Sequence, residues 1–145
     1  MTDFAPQDTD FEARVRESFA RQRVMETIGA RLARVRAGEV EIELPFREDL
    51  TQQHGYLHAG IVAAVIDSAC GYAAMSLAPA GAEVLSIEFK LNLLSPAAGE
   101  SFAARARVVR AGRNVTVCAG DLYARTGERE KLVATMLGTM MTIGG

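Results

Sequence analysis

The chain has 145 residues and a mass of 15.6 kDa, with 16 basic and 18 acidic side chains and a formal net charge of -2. This length is typical of one domain and is enough to bury a core without disulfide or metal staples. The near-neutral balance, with a pI near 5.7, argues against a general nucleic-acid binder, which needs a strongly basic face. Cys70 and Cys118 stand among small and apolar residues, which indicates buried, reduced thiols and a cytoplasmic location.

The N-terminal part predicts one amphipathic helix. Phe11, Val15 and Phe19 recur at about one helical turn among Glu and Arg residues, so we expect a helix over about residues 10–27. Residues 1–9 are expected to form a flexible leader, and no signal peptide is expected because this segment has no apolar stretch. Residues 10–145 then make up a single domain.

A β-hairpin is predicted next. Apolar and polar residues alternate strictly, which is the pattern of a strand with one buried face; the apolar positions are Val40, Ile42, Leu44 and Phe46. Ala37-Gly38 predicts a turn that joins this strand to a preceding strand within residues 30–36.

Residues 59–77 are apolar on nearly every side, which indicates a helix buried in protein or in lipid. The segment is barely long enough to span a bilayer, and Asp67 near its middle would cost about 2.5 to 3.5 kcal/mol on insertion. We therefore expect a central helix over about residues 59–77 that is wrapped by a sheet and ended by Pro79 and Gly81.

Four further strands, separated by turn signals, are predicted after this helix. Their alternating patterns cover residues 85–93, 102–108, 115–125 and 131–143. The whole chain therefore predicts an α+β domain in which one curved antiparallel sheet wraps around a long central α-helix.

The polar residues that could carry chemistry stand just before and inside the central helix. They are Gln52, Gln53, His54, Gly55, His58, Gly60 and Asp67. Asp67 has no Lys or Arg within two helical turns, and an isolated carboxylate in apolar surroundings is a site candidate, as a general base on water or as a nucleophile. The alternative is a structural carboxylate held by hydroxyl or backbone donors.

Two histidines stand shortly before the start of this helix. His54 and His58 are four residues apart, but the HExxH pattern is absent and Gly55 interrupts any helix there, so no metal site is expected. His58 fits a helix cap as well as a substrate contact. The N–H groups of Ala59 and Gly60 open the helix and could form an oxyanion hole for a carbonyl oxygen.

Basic residues gather around a turn at Gly112. Arg105 and Arg107 are interpreted as a solvated, charged edge. The remaining polar residues of this cluster could contact phosphate groups; they are Arg110, Arg113 and Asn114.

Residues 52–60, followed by residues 67–74, resemble the N-x-x-G-x-x-H-G-G…D-x-x-x-x-x-A pattern of PaaI-type acyl-CoA thioesterases of the hotdog fold. The order of strands and the single long helix are similar over about residues 29–143. Residues 86–97 also resemble that family's strand after the helix, which ends in a Pro-containing turn. The resemblance implies hydrolysis of acyl-CoA to CoA and a carboxylic acid, and no cofactor is expected.

The resemblance also implies roles for individual residues. Asp67 matches the catalytic carboxylate, Ala59 matches the glycine whose N–H polarises the thioester carbonyl, and His58 matches the histidine before it. Ser86 matches a serine or threonine that assists with the water, and Gln52 stands in the place of the family's Asn. The predicted substrate-binding residues are His54, Gly60, Tyr72, Arg110, Arg113 and Asn114.

The family further implies an assembly. Two subunits would join their sheets into a homodimer whose active site lies between them, with Asp67 of one chain near Ser86 of the other, and dimers would pair into tetramers. The identity of the acyl chain would depend on the depth of a pocket set by Tyr56, Tyr72, Met75 and residues of the partner chain. Because residues 52 and 59 depart from the pattern, a second hypothesis is a protein that binds or senses acyl-CoA without cleaving it; hotdog hydratase chemistry fits less well.

Overall fold

The computed structural model describes residues 3–145. Two helices, α1 (Phe11–Arg21) and α2 (Arg23–Ile28), precede the hairpin strands β1 (Arg31–Arg36) and β2 (Glu39–Pro45), and a short 3-10 turn (Glu48–Leu50) follows. The long helix α3 (Ala59–Met75) comes next. The chain then forms β3 (Ala82–Leu93), β4 (Ser101–Ala111), β5 (Val115–Thr126) and β6 (Arg129–Gly144).

The six strands form one antiparallel sheet in the order β1-β2-β4-β5-β6-β3. Strands β4, β5 and β6 pair with their chain neighbours, whereas β3 lies at the far edge and pairs with β6. Helix α3 contacts β2, β3, β4, β5 and β6, so it lies across the inner face of the sheet. The predicted α+β fold, with a sheet wrapped around a long central helix, is confirmed. None of the helices within residues 3–145 has the length and apolar character needed to cross a bilayer.

Helix α3 approaches the sheet closely because small residues stand where the two meet. A Cβ atom added at Gly120 on β5 would lie 2.6 Å from Cγ2 of Ile66 and 2.9 Å from Sγ of Cys70, so only glycine fits. Both cysteines are buried and free, as the sequence predicts. Ile66 and Cys70 are fully buried, which fixes the helix over the middle of the sheet.

The single helix predicted over residues 10–27 is wrong: the structure has two helices that are separated at Gln22. Gln22 has φ −80° and ψ 96°, outside the helical region. Its side chain is held by α3, because Ser68 Oγ donates to Gln22 Oε1 at 2.8 Å and Gln22 Nε2 donates to the Tyr72 hydroxyl at 3.2 Å. Sequence periodicity gives no sign of such a contact between distant residues.

Residues 3–9 form no helix or strand, but they contact the domain. Phe4 packs against the core, and Gln7 Nε2 donates to the Leu77 carbonyl oxygen at 3.1 Å. The flexibility predicted for residues 1–9 stays a prediction, and residues 1 and 2 lie outside the described residues. Helix α3 ends at Met75, two residues before the predicted end.

Four apolar residues of β3 are exposed, contrary to the alternation in the sequence, whereas Val84 and Leu91 pack against the core. Leu85 and Ile87 are 59% and 52% exposed, since β3 is an edge strand and a bulge between Ser86 and Glu88 shifts the alternation. Phe46, predicted to lie on the buried face of the hairpin, is exposed because β2 ends at Pro45. The edge strand therefore presents apolar side chains outward.

Candidate active site

Asp67 lies near the middle of α3 and is only partly buried. Ser86 Oγ on β3 donates a hydrogen bond to Asp67 Oδ1 at 2.7 Å, and Met140 Sδ lies 3.2 Å from the same hydroxyl. The contact forms within one chain, whereas the resemblance placed Ser86 of a facing subunit beside Asp67. The carboxylate is therefore oriented by a hydroxyl donor of its own protomer.

A cavity of about 400 Å³ opens beside Asp67. Its walls come from α1, α3 and the first half of β3, and they include Ser18, Gln22, Ser68, Gly71, Tyr72, Met75 and Glu83. The Tyr72 hydroxyl lies 3.3 Å from Ser18 Oγ and accepts a hydrogen bond from Gln22. Burial raises the pKa of Tyr72 above its usual value, so its hydroxyl stays protonated near neutral pH.

A second cavity, of about 500 Å³, opens at the start of α3. Gln52, Gln53, Tyr56, His58 and Ala59 line it, together with Leu93 at the end of β3 and Leu94 after it. Asp67 and Ser86 are not among its lining residues. The predicted catalytic residues therefore divide between two cavities, and Tyr56 lines a different one from Tyr72 and Met75.

His58 is the N-cap residue of α3. Its Nδ1 atom accepts a hydrogen bond from the Gly60 N–H at 2.8 Å. The Gly60 N–H was predicted to assist in an oxyanion hole, and that prediction is wrong because the capping ring already occupies it. The sequence leaves two roles open for His58, a helix cap and a substrate contact, and the structure shows the helix cap. In the neutral ring the proton then lies on Nε2.

Ala59 is the first residue of α3, and its N–H has no hydrogen-bond acceptor within residues 3–145. This N–H stands at the positive end of the helix dipole and borders the second cavity. No non-glycine residue in the described chain has a positive φ, so the methyl group of Ala59 is accommodated without strain. The Ala59 N–H can therefore receive a developing negative charge.

The side chain of Gln52 stabilises the loop that follows it in the chain. Its Oε1 atom accepts hydrogen bonds from the His54 N–H at 2.6 Å and the Tyr56 N–H at 3.3 Å. Gly55, with φ +85°, lets the chain turn there. Within residues 3–145 the Nε2 atom of Gln52 has no acceptor, so the amide nitrogen is the part left for a ligand. His54, predicted to bind substrate, is exposed and lines neither cavity.

The predicted phosphate contacts lie apart from both cavities. Arg110, Arg113 and Asn114 are exposed around the β4–β5 turn and line neither of them. Arg105, interpreted as part of a solvated edge, instead pairs with Glu130 at 2.7 Å. Hydrogen bonds from Arg105 and Arg125 lower the pKa of Glu130 to about 2.

The two cysteines are the other candidate nucleophiles of the domain. Burial raises the pKa of Cys70 above its usual value and that of Cys118 to about 12, so neither thiol is a thiolate nucleophile near neutral pH. Among residues 3–145, no three histidine, cysteine or carboxylate side chains form a group that could hold a metal ion. Asp67 is thus the carboxylate best placed for chemistry.

Ala59 and Asp67 are too far apart to act on the same carbonyl group within one chain. Eight residues on one helix separate them by about 12 Å along its axis. A general base has to lie within about 2.6 to 3.2 Å of the attacking water, and the carbonyl bond itself is about 1.2 Å long. Within one chain, these two groups therefore cannot meet at the same carbonyl group.

Comparison with known proteins identifies the family. The Thioesterase superfamily pattern matches residues 54–131. A structure of a Thioesterase family protein from Silicibacter pomeroyi is similar, with 52% sequence identity and a TM-score of 0.91, covering 93% of this chain and 99% of that one.

Two further proteins extend the comparison. A Saccharolobus solfataricus protein provisionally named as an esterase is 30% identical over 94 residues, which span 65% of this chain and 66% of that relative, slightly under two thirds of its length. The E. coli PaaI protein from the phenylacetic acid degradation operon shares the fold, with a TM-score of 0.86 at 19% identity over 96% of this chain and 97% of that one. The chain has the hotdog fold and belongs to the thioesterase superfamily.

Proposed function

We propose that the protein hydrolyses acyl-CoA thioesters to free CoA and a carboxylic acid. Membership in the thioesterase superfamily supports ester or thioester hydrolysis in general. The observation that carries the proposal is the placement of Asp67, a partly exposed carboxylate on the central helix that is oriented by Ser86 and open to a cavity. A carboxylate so placed can take a proton from water or attack a carbonyl carbon.

The second half-site comes from another copy of the chain in this proposal. Strand β3 is an edge strand with exposed apolar side chains, and such an edge pairs readily with another strand. The first half of β3 borders the Asp67 cavity, and its last residue, Leu93, borders the Ala59 cavity. Antiparallel pairing of two β3 strands about a two-fold axis would bring each Asp67 cavity to the partner's Ala59 cavity.

The reaction then uses groups from both protomers. The thioester oxygen accepts a hydrogen bond from the Ala59 N–H of one protomer, while the partner's Asp67 takes a proton from a water molecule whose oxygen attacks the carbonyl carbon. The tetrahedral intermediate collapses, the carbon–sulfur bond breaks, and the CoA sulfur leaves with the electron pair and takes up the proton that Asp67 removed from the water. Direct attack by the partner's Asp67 would instead give a mixed anhydride, which water then hydrolyses to the same products.

One observation favours a second candidate, a protein that binds acyl-CoA without cleaving it. Gln52 stands where the family pattern has Asn, and its side-chain oxygen is occupied by the N–H groups of its own loop. An amide oxygen held in this way cannot also orient the attacking water. In this candidate, acyl-CoA would occupy the same two cavities and dissociate intact.

Replacing Asp67 tests the proposal, with Asp121→Asn as a matched control. Asp121 also accepts a hydroxyl hydrogen bond at 2.7 Å, from Thr135, but lies on β5 away from both cavities. We expect Asp67→Asn to lower the rate of CoA thiol release from a panel of acyl-CoAs about 10²- to 10⁴-fold, because the proton acceptor is lost. Asp121→Asn should retain the wild-type rate.

The same assay separates the two candidates. Full turnover by a folded Asp67→Asn variant would overturn the role of Asp67. If the wild-type protein binds acyl-CoA in calorimetry but releases no thiol from any of the panel, the binding candidate is correct.

A further inference from the structure

The two cavities differ in charge, which indicates how a substrate lies across them. Leu57, Val62, Leu93 and Val133 border the Ala59 cavity, which has no carboxylate among its lining residues. The Asp67 cavity contains two carboxylates, since Glu83 also lines it. The phosphates of CoA are anionic and are repelled by those carboxylates. The pantetheine arm therefore fits the Ala59 cavity, and the acyl group fits the Asp67 cavity.

A chain of hydrogen bonds forms one wall of the Asp67 cavity. Ser68 Oγ donates to Gln22 Oε1 at 2.8 Å, Gln22 Nε2 donates to the Tyr72 hydroxyl at 3.2 Å, and that hydroxyl lies 3.3 Å from Ser18 Oγ. Either hydroxyl can donate in the contact between Tyr72 and Ser18, and the one that accepts keeps its own hydrogen free. Two donors therefore remain without a partner within residues 3–145: the second Nε2 hydrogen of Gln22 and one of these two hydroxyl groups.

These donors lie at some distance from the reacting carbonyl. The Gln22 amide bridges Ser68 and Tyr72, which follow Asp67 by one and five residues on α3, or about 1.5 and 7.5 Å along the helix axis. The donors thus face the part of a short acyl group beyond its carbonyl. A plain alkyl chain would leave them without acceptors in a half-buried wall, and Glu83 would repel an acyl group that ends in a carboxylate.

We propose that Ser18, Gln22 and Tyr72 form the acyl subsite, and that it selects a short acyl group with a neutral hydrogen-bond acceptor, such as a keto oxygen, near its far end. This inference rests on the proposed function, because it assigns one of the two cavities to the acyl part of an acyl-CoA. Gln22 is the specificity-determining residue, since the break between α1 and α2 places its amide in the cavity wall.

A matched pair of substrates tests the subsite. Hexanoyl-CoA and 5-oxohexanoyl-CoA differ only in one keto oxygen, and glutaryl-CoA supplies the anionic case. We expect the wild-type kcat/KM for 5-oxohexanoyl-CoA to exceed that for hexanoyl-CoA about fivefold, the value of one neutral hydrogen bond, and glutaryl-CoA to be the poorest substrate.

Gln22→Met keeps the length of the side chain and removes its donors. We expect this variant to bring the keto-to-alkyl ratio close to one while hexanoyl-CoA is still hydrolysed. The control is Gln7→Met, whose side chain contacts Leu77 outside both cavities and should keep the wild-type ratio. If Gln22→Met does not fold, Gln22→Glu keeps an acceptor for Ser68, removes the Nε2 donors and should lower the ratio in the same direction.

The outcomes distinguish the subsite from the proposed function. Equal kcat/KM for the two neutral substrates in the wild type, or an unchanged ratio in both folded variants, overturns the subsite and leaves thioester hydrolysis standing. If no acyl-CoA is hydrolysed, the same ratio is measured as Kd by calorimetry, and a preference that Gln22→Met abolishes still supports the subsite. Absence of both hydrolysis and binding overturns the subsite together with the proposed function.

Discussion

Ala59 contributes a backbone N–H rather than a side chain to the proposed site, so the decisive substitution is one that removes this N–H. Proline is favoured at the first position of a helix, where the N–H has no partner in the helix. His58 before it has φ −61° and ψ 139°, the extended geometry that a residue before proline requires. Ala59→Pro therefore deletes the donor without breaking α3.

We expect Ala59→Pro to lower kcat for CoA release about 10²- to 10³-fold, as removal of one oxyanion donor does in other acyl-transfer sites. Thermal unfolding should change little, because proline suits this position. Ala59→Gly keeps the N–H and serves as the control, with turnover close to wild type. Wild-type turnover by Ala59→Pro would mean that this N–H does not contact the oxyanion.

The sequence predicts which residues stand near the site better than it predicts what each one contacts. Asp67 and Ala59 border the cavities as their spacing and the family pattern indicate. The hydrogen bond from Ser86 to Asp67 joins residues that are 19 positions apart in the sequence. It depends on how strand β3 crosses helix α3. The loss of the Gly60 donor depends on the orientation of the His58 ring, which spacing does not determine.

At the scale of elements, the contact between α3 and β5 determines how deep the helix lies in the sheet. Gly120→Ala would place a methyl group 2.6 Å from Ile66 and 2.9 Å from Cys70, so either α3 or β5 has to move. We expect a loss of about 1 to 3 kcal/mol in the free energy of unfolding, the usual cost of overpacking a core.

Gly71→Ala, on helix α3, is the control variant, because an added Cβ there meets no atom within 4 Å. Alanine favours the helix over glycine by about 1 kcal/mol, so this variant should be as stable as the wild type or more stable. The free energy of unfolding of both variants is measured by urea denaturation, and the slopes of this free energy against urea concentration are compared with that of the wild type. Equal stability of Gly120→Ala and the wild type would contradict the close approach.

The elements that follow a regular period are predicted well from the sequence, and those that depend on distant neighbours are not. The buried helix and the alternating strands appear within a few residues of their expected bounds. The position of β3 beside β6, at the edge of the sheet, is a property of the whole topology. An edge strand and a central strand can carry the same alternation, so the exposure of Leu85 and Ile87 has no local sequence signal.

At the scale of the whole molecule, the proposed reaction would need two copies of the chain, because Ala59 and Asp67 lie about 12 Å apart along one helix. A two-fold arrangement would produce two identical sites, each built from the Ala59 end of one protomer and the Asp67 end of its partner. Two variants that damage different half-sites should then restore each other when they share a dimer.

Co-expression of Ala59→Pro with Asp67→Asn, each carrying a different affinity tag, tests this arrangement. Each variant alone should be nearly inactive, whereas random mixing leaves half of the dimers mixed, each with one intact site, so thiol release should return to about a quarter of the wild-type rate. Purification through both tags isolates the mixed dimers and should raise recovery to about half. Co-expression of Ala59→Pro with tagged Ala59→Pro is the control. If both groups act within one chain, or the protein elutes as a monomer in gel filtration, mixing recovers nothing, and the shared site is excluded.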